Sequence, residues 1–278
     1  MKIAAAQTIV SSDIHANGIA IRTAIVEAAE EGTRLVNFCE GALSGYAKSQ
    51  IVHPDRWADF DWATQEAELR AIAELCGQLG VFATVGGAHR LREDHPPHNS
   101  LYVLSDRGDL LTRYDKRFLS NSELDRWYTP GAEPTTFQVD GYCFGCAICI
   151  ESQFPEVFSE YEGLNVDAVL FASYGIPEYF QVALRAHAGL NCIWISAATP
   201  VQKAEKGPAG IIGPDGKWAA RRPSTPEPGL ATAVLDRNDP IYDIPLRKAR
   251  PWRAKARQGD IYREKRVDHP RSENRSGY

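Results

Sequence analysis

Short apolar runs alternate along this chain with longer stretches whose apolar residues recur every three or four positions. That alternation limits the fold to layered strands and helices. Residues 2–8 read as a small-residue-rich strand. Residues 17–31 read as a helix with Ile21, Ala24, Ile25 and Ala28 on one face and Gly32 ending it. A second strand covers 34–38. A second helix covers 62–79, through Leu69, Ile72, Ala73 and Cys76, and Gly80 leads into a strand over 81–85 with Gly86-Gly87 as its turn. Hairpins are expected for 100–105 with 110–113 around Asp106-Arg107-Gly108, and for 207–213 with 217–220 around Pro214-Asp215-Gly216. A strand over 166–172, a helix over 178–190, and strands over 192–197 and 230–235 complete an α/β fold with a mixed sheet or sheets. Loops are expected at 94–98, with His95 and His98 solvated, and at 120–131. No Pro/Gly/Ser-rich linker interrupts 1–240, which favours one domain.

Cys143 to Glu156 carries the most chemistry. Phe144 to Ile150 reads as a buried strand, and Pro155 suits the first turn of a helix. A cysteine at a strand's end before a helix sits where α/β proteins place reacting groups, and free N–H groups there favour a thiolate. Cys143, Cys146 and Cys149 could suggest a metal site, but on a strand Cys146 faces away from the other two. Cys39, Cys76 and Cys192 stand alone, so no metal is expected. Cys143 and Cys146 read as core. For Cys149, nucleophile and core residue both stay open from this stretch alone.

Two charged residues follow strand ends, as Cys149 lies near the end of its own. Glu40 comes directly after the apolar run 34–38, where a buried carboxylate needs a partner, although a solvated loop residue is the plainer reading. Lys116 follows the second strand of the first hairpin and could equally be a surface lysine lying over apolar neighbours. Such strand ends can converge on one crevice in stacked α/β layers. A carboxylate, an ammonium and a thiol meeting there make a nucleophilic site.

The net charge of −5 over 278 residues gives no argument for nucleic acid as the main partner. Polar Gln7 and Ser11 come too early for a signal-peptide core, and no apolar run approaches the roughly 20 residues of a membrane helix. Six cysteines then read as free thiols in a reducing cytoplasm. From Leu246 to Tyr278 there are eleven Lys/Arg against four Asp/Glu. That basic tail is expected as an arm on this or a neighbouring subunit rather than a nucleic-acid binder, with disorder from His269 onward.

The sequence resembles the nitrilase, or carbon–nitrogen hydrolase, superfamily. Phe38-Cys39-Glu40 with Gly45-Tyr46 resembles its glutamate motif. Asn99-Ser100 through Asp106-Arg107-Gly108 to Tyr114-Asp115-Lys116-Arg117-Phe118-Leu119 resembles its lysine motif, and Cys146 to Glu156 its cysteine motif. Glu123, ahead of Tyr128-Thr129-Pro130-Gly131, falls where the family has a second glutamate. The resemblance covers residues 1–262, leaving 263–278 as a flexible tail. It implies a four-layer αββα sandwich, paired into homodimers whose C-terminal arms cross between subunits. It also implies Glu40 as general base, Cys149 as nucleophile, Lys116 as oxyanion stabiliser and Glu123 as a positioning group. The Ile150 N–H would complete the oxyanion hole. No cofactor is implied.

The chain departs from the family pattern in places. Cys39 stands for the usual proline, and His187 and Leu190 stand where the family often has charged residues. The loop before Tyr128 is one residue longer than in many relatives, which leaves Asp125 as the alternative to Glu123. An arginine that some members place shortly after the cysteine is absent, Ser152 and Gln153 lying there, so an acid-binding site at that place is not expected. Tyr46, Trp127, Tyr174, Tyr179 and Phe180 are candidates for an aromatic pocket wall, with core packing an equal explanation. The expected reaction is hydrolysis of a small linear amide with release of ammonia. N-carbamoyl amide hydrolysis, nitrile hydrolysis and a non-catalytic binding subunit are the alternatives.

Overall fold

Strand β1 (Lys2–Gln7) shows why the sheets must be covered on both sides. Ile3 and Ala5 pack into one apolar cluster while Ala4 and Ala6 pack into another, and all four are fully buried. The structure, a computed structural model, describes residues 1–273 and 276. After β1 come α1 (Ile14–Glu30), β2 (Leu35–Asn37), α2 (Trp62–Leu79) and β3 (Phe82–His89). Next are β4 (His98–Leu104), β5 (Leu110–Asp115) and the single turn α3 (Asn121–Leu124). The second half runs β6 (Thr136–Val139), β7 (Tyr142–Ile148), α4 (Pro155–Gly163), β8 (Ala168–Ala172), α5 (Glu178–Asn191) and β9 (Trp194–Ala198). It ends with β10 (Gly210–Ile212), β11 (Trp218–Arg221), β12 (Gly229–Val234), α6 (Arg250–Gln258), α7 (Asp260–Arg263) and α8 (Pro270–Glu273).

Two six-stranded sheets result, in the orders β12-β1-β2-β3-β4-β5 and β11-β10-β9-β8-β7-β6. Each has a parallel centre, β1-β2-β3 or β7-β8-β9, flanked by antiparallel strands. Their facing sides share a core of Ile3, Leu35, Leu101 and Tyr114 against Phe144, Cys146, Ile148 and Leu170. Helices α1 and α2 cover the outer side of the first sheet through Ile21, Ile25, Ile72 and Cys76. Helices α4 and α5 cover the second through Phe158, Tyr161, Leu184 and Ala188. The fold is the four-layer αββα sandwich expected.

Several expectations need correction. Helix α1 starts at Ile14, because the Asp13 side chain accepts the Ala16 N–H at 3.1 Å and caps it. Gly86-Gly87 is no turn, for β3 runs through both to His89. A Cβ on Gly86 would lie 2.1 Å from the Cys39 carbonyl oxygen, so the glycine admits the chain that carries Glu40. His98 is not solvated. It is buried in β4 and donates from Nδ1 to the Thr129 carbonyl at 2.9 Å, whereas His95 is exposed. Strand β6, turning at Asp140-Gly141 into β7, has no counterpart in the sequence reading. Part of the expected loop 120–131 is the turn α3.

The basic C-terminal segment lies on its own chain. Arg253 Nη1 donates to the Gly189 and Leu190 carbonyls at 2.7 and 3.0 Å, at the end of α5. Arg257 pairs with Glu162 and donates to Asn191 Oδ1 at 3.0 Å. Cations there satisfy the orphan carbonyls and suit the helix dipole. His269 lies just ahead of α8, and the expectation of disorder at Asn274, Arg275, Gly277 and Tyr278 falls outside the described residues. All six cysteines are free. No described helix is long and apolar enough to cross a membrane, and no described group of three or more His, Cys, Asp or Glu could hold a metal ion.

Candidate active site

The three motif residues all leave the C-terminal ends of strands. Phe38-Cys39-Glu40 runs off β2, held by the Phe38 N–H to the Thr84 carbonyl at 2.9 Å. Glu40 is 1 % exposed, which demands partners, and it has three. Its Oε1 accepts from Asn99 Nδ2 at 2.7 Å and Lys116 Nζ at 3.1 Å, and its Oε2 accepts from the Tyr174 N–H at 3.0 Å. Lys116 directly follows β5 and is fully buried, its own N–H bonded to the Asn99 carbonyl at 2.8 Å.

Lys116 Nζ also donates to Glu123 Oε1 at 2.7 Å. Glu123 sits in α3, where its Oε2 accepts the Ser120 N–H at 2.7 Å, closing a capping box. One side chain therefore both caps the turn and pairs with the lysine. Burial alone would neutralise Lys116, but Glu40, the Cys149 sulfur and Glu123 outweigh it and raise its pKa. Burial likewise opposes ionisation of Glu123, and Lys116 with Ser120 overcomes it, lowering that carboxyl's pKa. Asp125 is exposed and takes no part.

Cys149 is the first residue after β7, and its φ of 52° puts a non-glycine residue in the left-handed region. That conformation ends the strand at Ile148, two residues short of the expected Ile150, and starts a 3₁₀ turn over Cys149–Gln153. Such strain, on the order of 1 kcal/mol or more, persists only where surroundings hold it. Glu151 does the holding. It is fully buried and accepts from the Ile148 N–H at 2.6 Å, the Tyr114 hydroxyl at 2.7 Å, and the Arg117 and Phe118 N–H groups at 2.8 and 3.1 Å. The carboxylate thus ties the cysteine turn to the lysine loop.

The Cys149 thiol is pushed up to about 12, first by burial and then by the charge of Glu40. Lys116 and a hydrogen bond with Ser173 pull it down, and Glu123 adds to the rise. The sulfur therefore feels all three charged groups. It rests as a thiol near neutral pH and needs a base to react.

Cys149 lies in a cavity of about 500 Å³. Tyr46 and Tyr174 line it as a pair stacked at 4.2 Å and 3°, and Tyr179 and Phe180 line it as well. A larger hollow of about 800 Å³ lies over the outer side of the first sheet beside α2, lined by Trp62, Gln65, His89 and Tyr102. None of Glu40, Lys116 and Cys149 reaches it.

The carbon–nitrogen hydrolase family model matches residues 2–240. The chain belongs to this family. Among relatives of this carbon–nitrogen hydrolase are nitrilase homolog 2 of Dictyostelium discoideum, 21% identical over 193 residues, and 2-oxoglutaramate amidase of Bacillus subtilis, 24% identical over 152 residues. These matches cover 64% and 53% of this chain and a little over half of each relative, 56% and 57%. Among solved structures, the NitN amidase from Nesterenkonia sp. AN1 is similar at a TM-score of 0.74 and 21% identity, covering 91% of this chain and 99% of that one. A variant of that amidase, with the acetamide moiety of fluoroacetamide covalently added at its active-site cysteine, matches at the same TM-score and identity, over 91% and 95%. At such identities the likeness is one of fold.

Within this carbon–nitrogen hydrolase, Tyr46, Tyr174, Tyr179 and Phe180 line the cavity but Trp127 does not. Trp127 is buried in a cluster with Trp57 and Tyr128, its carbonyl accepting the Trp57 indole N–H at 2.9 Å. Ile150 is half-buried against the α4–α5 core and is absent from the cavity lining. His187 replaces an expected charge by stacking on Phe158 at 4.0 Å and bonding to the Ser152 carbonyl at 2.9 Å; burial lowers its pKa. Asn99, Ser173 and Glu151 had no role from sequence. Asn99 and Glu151 left signals there, as the first residue of the lysine motif and as an acid two residues past a candidate nucleophile.

Proposed function

We propose that this chain hydrolyses a small linear amide with release of ammonia, through a thioester on Cys149. The observation that carries the reading is one buried cluster, Glu40–Lys116–Glu123, acting electrostatically on a cysteine that is turned out of its strand and lines the cavity. The names of the relatives support it, since two of them are amidases and one of these carries an adduct on its cysteine.

Glu40 takes the Cys149 proton as sulfur attacks the amide carbon, forming the S–C bond and an oxyanion. Lys116 stabilises that oxygen, and the Ile150 N–H is its natural second donor. Glu40 then returns the proton to the departing nitrogen, the C–N bond breaks, and ammonia leaves. Water attacks the thioester while Glu40 accepts its proton. The C–S bond breaks, the sulfur regains the proton, and the carboxylic acid departs. Glu123 holds the lysine in place throughout.

The test is an ammonia-release screen over amides, N-carbamoyl compounds and nitriles, with mass spectrometry of the Cys149 peptide. Amide turnover with an acylated Cys149, both lost in Cys149→Ala, is the expected result. Carbon dioxide released with the ammonia would instead indicate an N-carbamoyl hydrolase. Retained turnover in Cys149→Ala would refute the mechanism. The same reading carries a homodimer, which light scattering on the full chain would check.

A further inference from the structure

Asn99 and Lys116 enter the active site from one hairpin, and a polar network on the outer face of that hairpin takes no part in the reaction written above. Strand β5, which delivers Lys116, is the last strand of its sheet and pairs only with β4. The pairing shifts register between Val103 and Leu104, so the turn around Asp106-Arg107-Gly108 does not by itself fix where Lys116 falls. A slip of one residue would turn the lysine to the outer face.

Side chains hold the register instead. Tyr114 faces the core between the sheets and Lys116, two residues on, points the same way, while Arg113 and Asp115 take the outer side. Asp115 stands opposite Ser100, the residue after Asn99, and accepts its hydroxyl at 2.6 Å. Arg113 grips the same carboxylate twice, Nε to Oδ1 at 2.7 Å and Nη2 to Oδ2 at 2.9 Å. Its Nη1 reaches over β4 to His89 Nε2 on β3, at 2.7 Å. His89 Nδ1 lies 3.0 Å from the Tyr102 hydroxyl, which donates to the Ala88 carbonyl at 2.8 Å.

These bonds fix every proton. The Tyr102 hydroxyl gives its proton to Ala88 and so accepts from His89 Nδ1, which leaves Nε2 as the lone pair for Arg113. Only the neutral imidazole with its proton on Nδ1 satisfies both partners. Burial first, then the Arg113 charge, lowers the His89 pKa to about 4; Asp115 opposes the shift and His98 adds to it. Burial also opposes the Asp115 charge, and Arg113 with Ser100 overcomes it, lowering that carboxyl's pKa.

Resting on the amide reading above, we propose that Asp115 and His89 are positioning residues, which through Ser100 and Arg113 hold β4 and β5 in the one register that brings Asn99 and Lys116 together on Glu40. The 2.6 Å bond from Ser100 to Asp115 sits one residue behind the 2.8 Å bond from the Lys116 N–H to the Asn99 carbonyl. Those two residues in turn reach the Glu40 carboxylate at 2.7 and 3.1 Å. A misplacement of about 1 Å in such a group costs up to ~10²-fold in rate. The loss falls on the chemical step, because Lys116 and Glu40 act on the oxyanion and the proton rather than on binding.

The test measures kcat and KM, for the amide turned over fastest in the screen above, in the wild type, Asp115→Asn, Ser100→Ala, His89→Leu and His89→Gln. Asparagine turns a donor toward Arg113 and undoes the double grip. We expect kcat to fall at least about tenfold in Asp115→Asn and His89→Leu and about threefold in Ser100→Ala, with KM within about twofold of wild type. His89→Gln should restore most of kcat, since its amide offers one N–H and one carbonyl as the neutral ring does. Nitrogen NMR of the wild type at pH 7 should find the His89 proton on Nδ1. Should Asp115→Asn fail to fold, Ser100→Ala and the two His89 variants decide the matter. Wild-type kcat in the folded variants with only the melting temperature lowered, a loss confined to KM, or a His89→Gln no better than His89→Leu overturns this inference. A charged or Nε2-protonated His89 does so too, and each of these leaves the amidase reading standing. Absence of ammonia from every amide with the wild type overturns the amidase reading and this inference with it.

Discussion

Replacing Lys116 with methionine tests the buried cluster most directly. The side chains have similar volume, so packing is nearly kept while Glu40 and Glu123 lose their shared cation, 3.1 and 2.7 Å away. Breaking a buried pair by removing one partner costs about 3–5 kcal/mol, because a charge is left uncompensated. The pH dependence should change sign as well. In the wild type the Glu123 pKa is lowered on folding, so its stabilisation is full above the ordinary carboxylate range and fades as pH falls through the lowered value. Without Lys116, burial is no longer outweighed and raises the Glu123 carboxyl's pKa in the folded state. Stability of the variant is then fullest at low pH and is lost as pH rises through the raised value, by at most about 1.4 kcal/mol per pH unit for each proton. Urea midpoints at pH 5.5 and 8 measure this. We expect the full penalty at pH 8, with about 2–3 kcal/mol of it recovered at pH 5.5. An equal loss at both pH values would show that the carboxylates do not depend on Lys116. The same variant should lose at least ~10²-fold in kcat/KM, as an enzyme missing one oxyanion donor does.

Gly86→Ala should destabilise by about 1–3 kcal/mol, since the added carbon meets backbone, the Cys39 oxygen at 2.1 Å and the Gly41 nitrogen at 2.8 Å. The shift falls on the Glu40 segment, so kcat should drop together with the melting temperature; an unchanged kcat would mean that this approach does not set Glu40. Glu151→Ala strips the acceptor from three N–H groups and a hydroxyl and should cost about 3 kcal/mol or more. Hydrogen exchange over 148–153 should then rise selectively, and protection equal to wild type would remove Glu151 from its positioning role.

The local chemistry of this chain was legible in sequence wherever the cause was local. Helix α2 matches its expected limits at both ends because Asp61 caps its first turn and Gly80, at φ 65°, terminates it. Pro155 opens α4 as a proline at the first helical position should. Glu40 and Lys116 were visible as polar groups following apolar runs, and Cys149 as a cysteine near the end of one. Where the cause lay elsewhere in the chain, the sequence misled or stayed silent. Gly86-Gly87 looks like a turn until Cys39 is brought against it, and His98 looks solvated until Thr129 arrives as its acceptor.

Sequence periodicity by itself determined which segments are strands and which are helices, because side-chain direction repeats every two residues in a strand and every 3.6 in a helix, while the four layers came from the family resemblance. Only the tertiary structure decided which polar groups share a pocket. Glu123 rather than Asp125 reaches Lys116, Trp127 is withdrawn into the core, and Lys203 and Lys206 line the cavity of Cys149 from a turn more than fifty residues away. Those outcomes depend on how two sheets pack face to face, and a burial pattern along one strand carries no record of the strand that will lie opposite it.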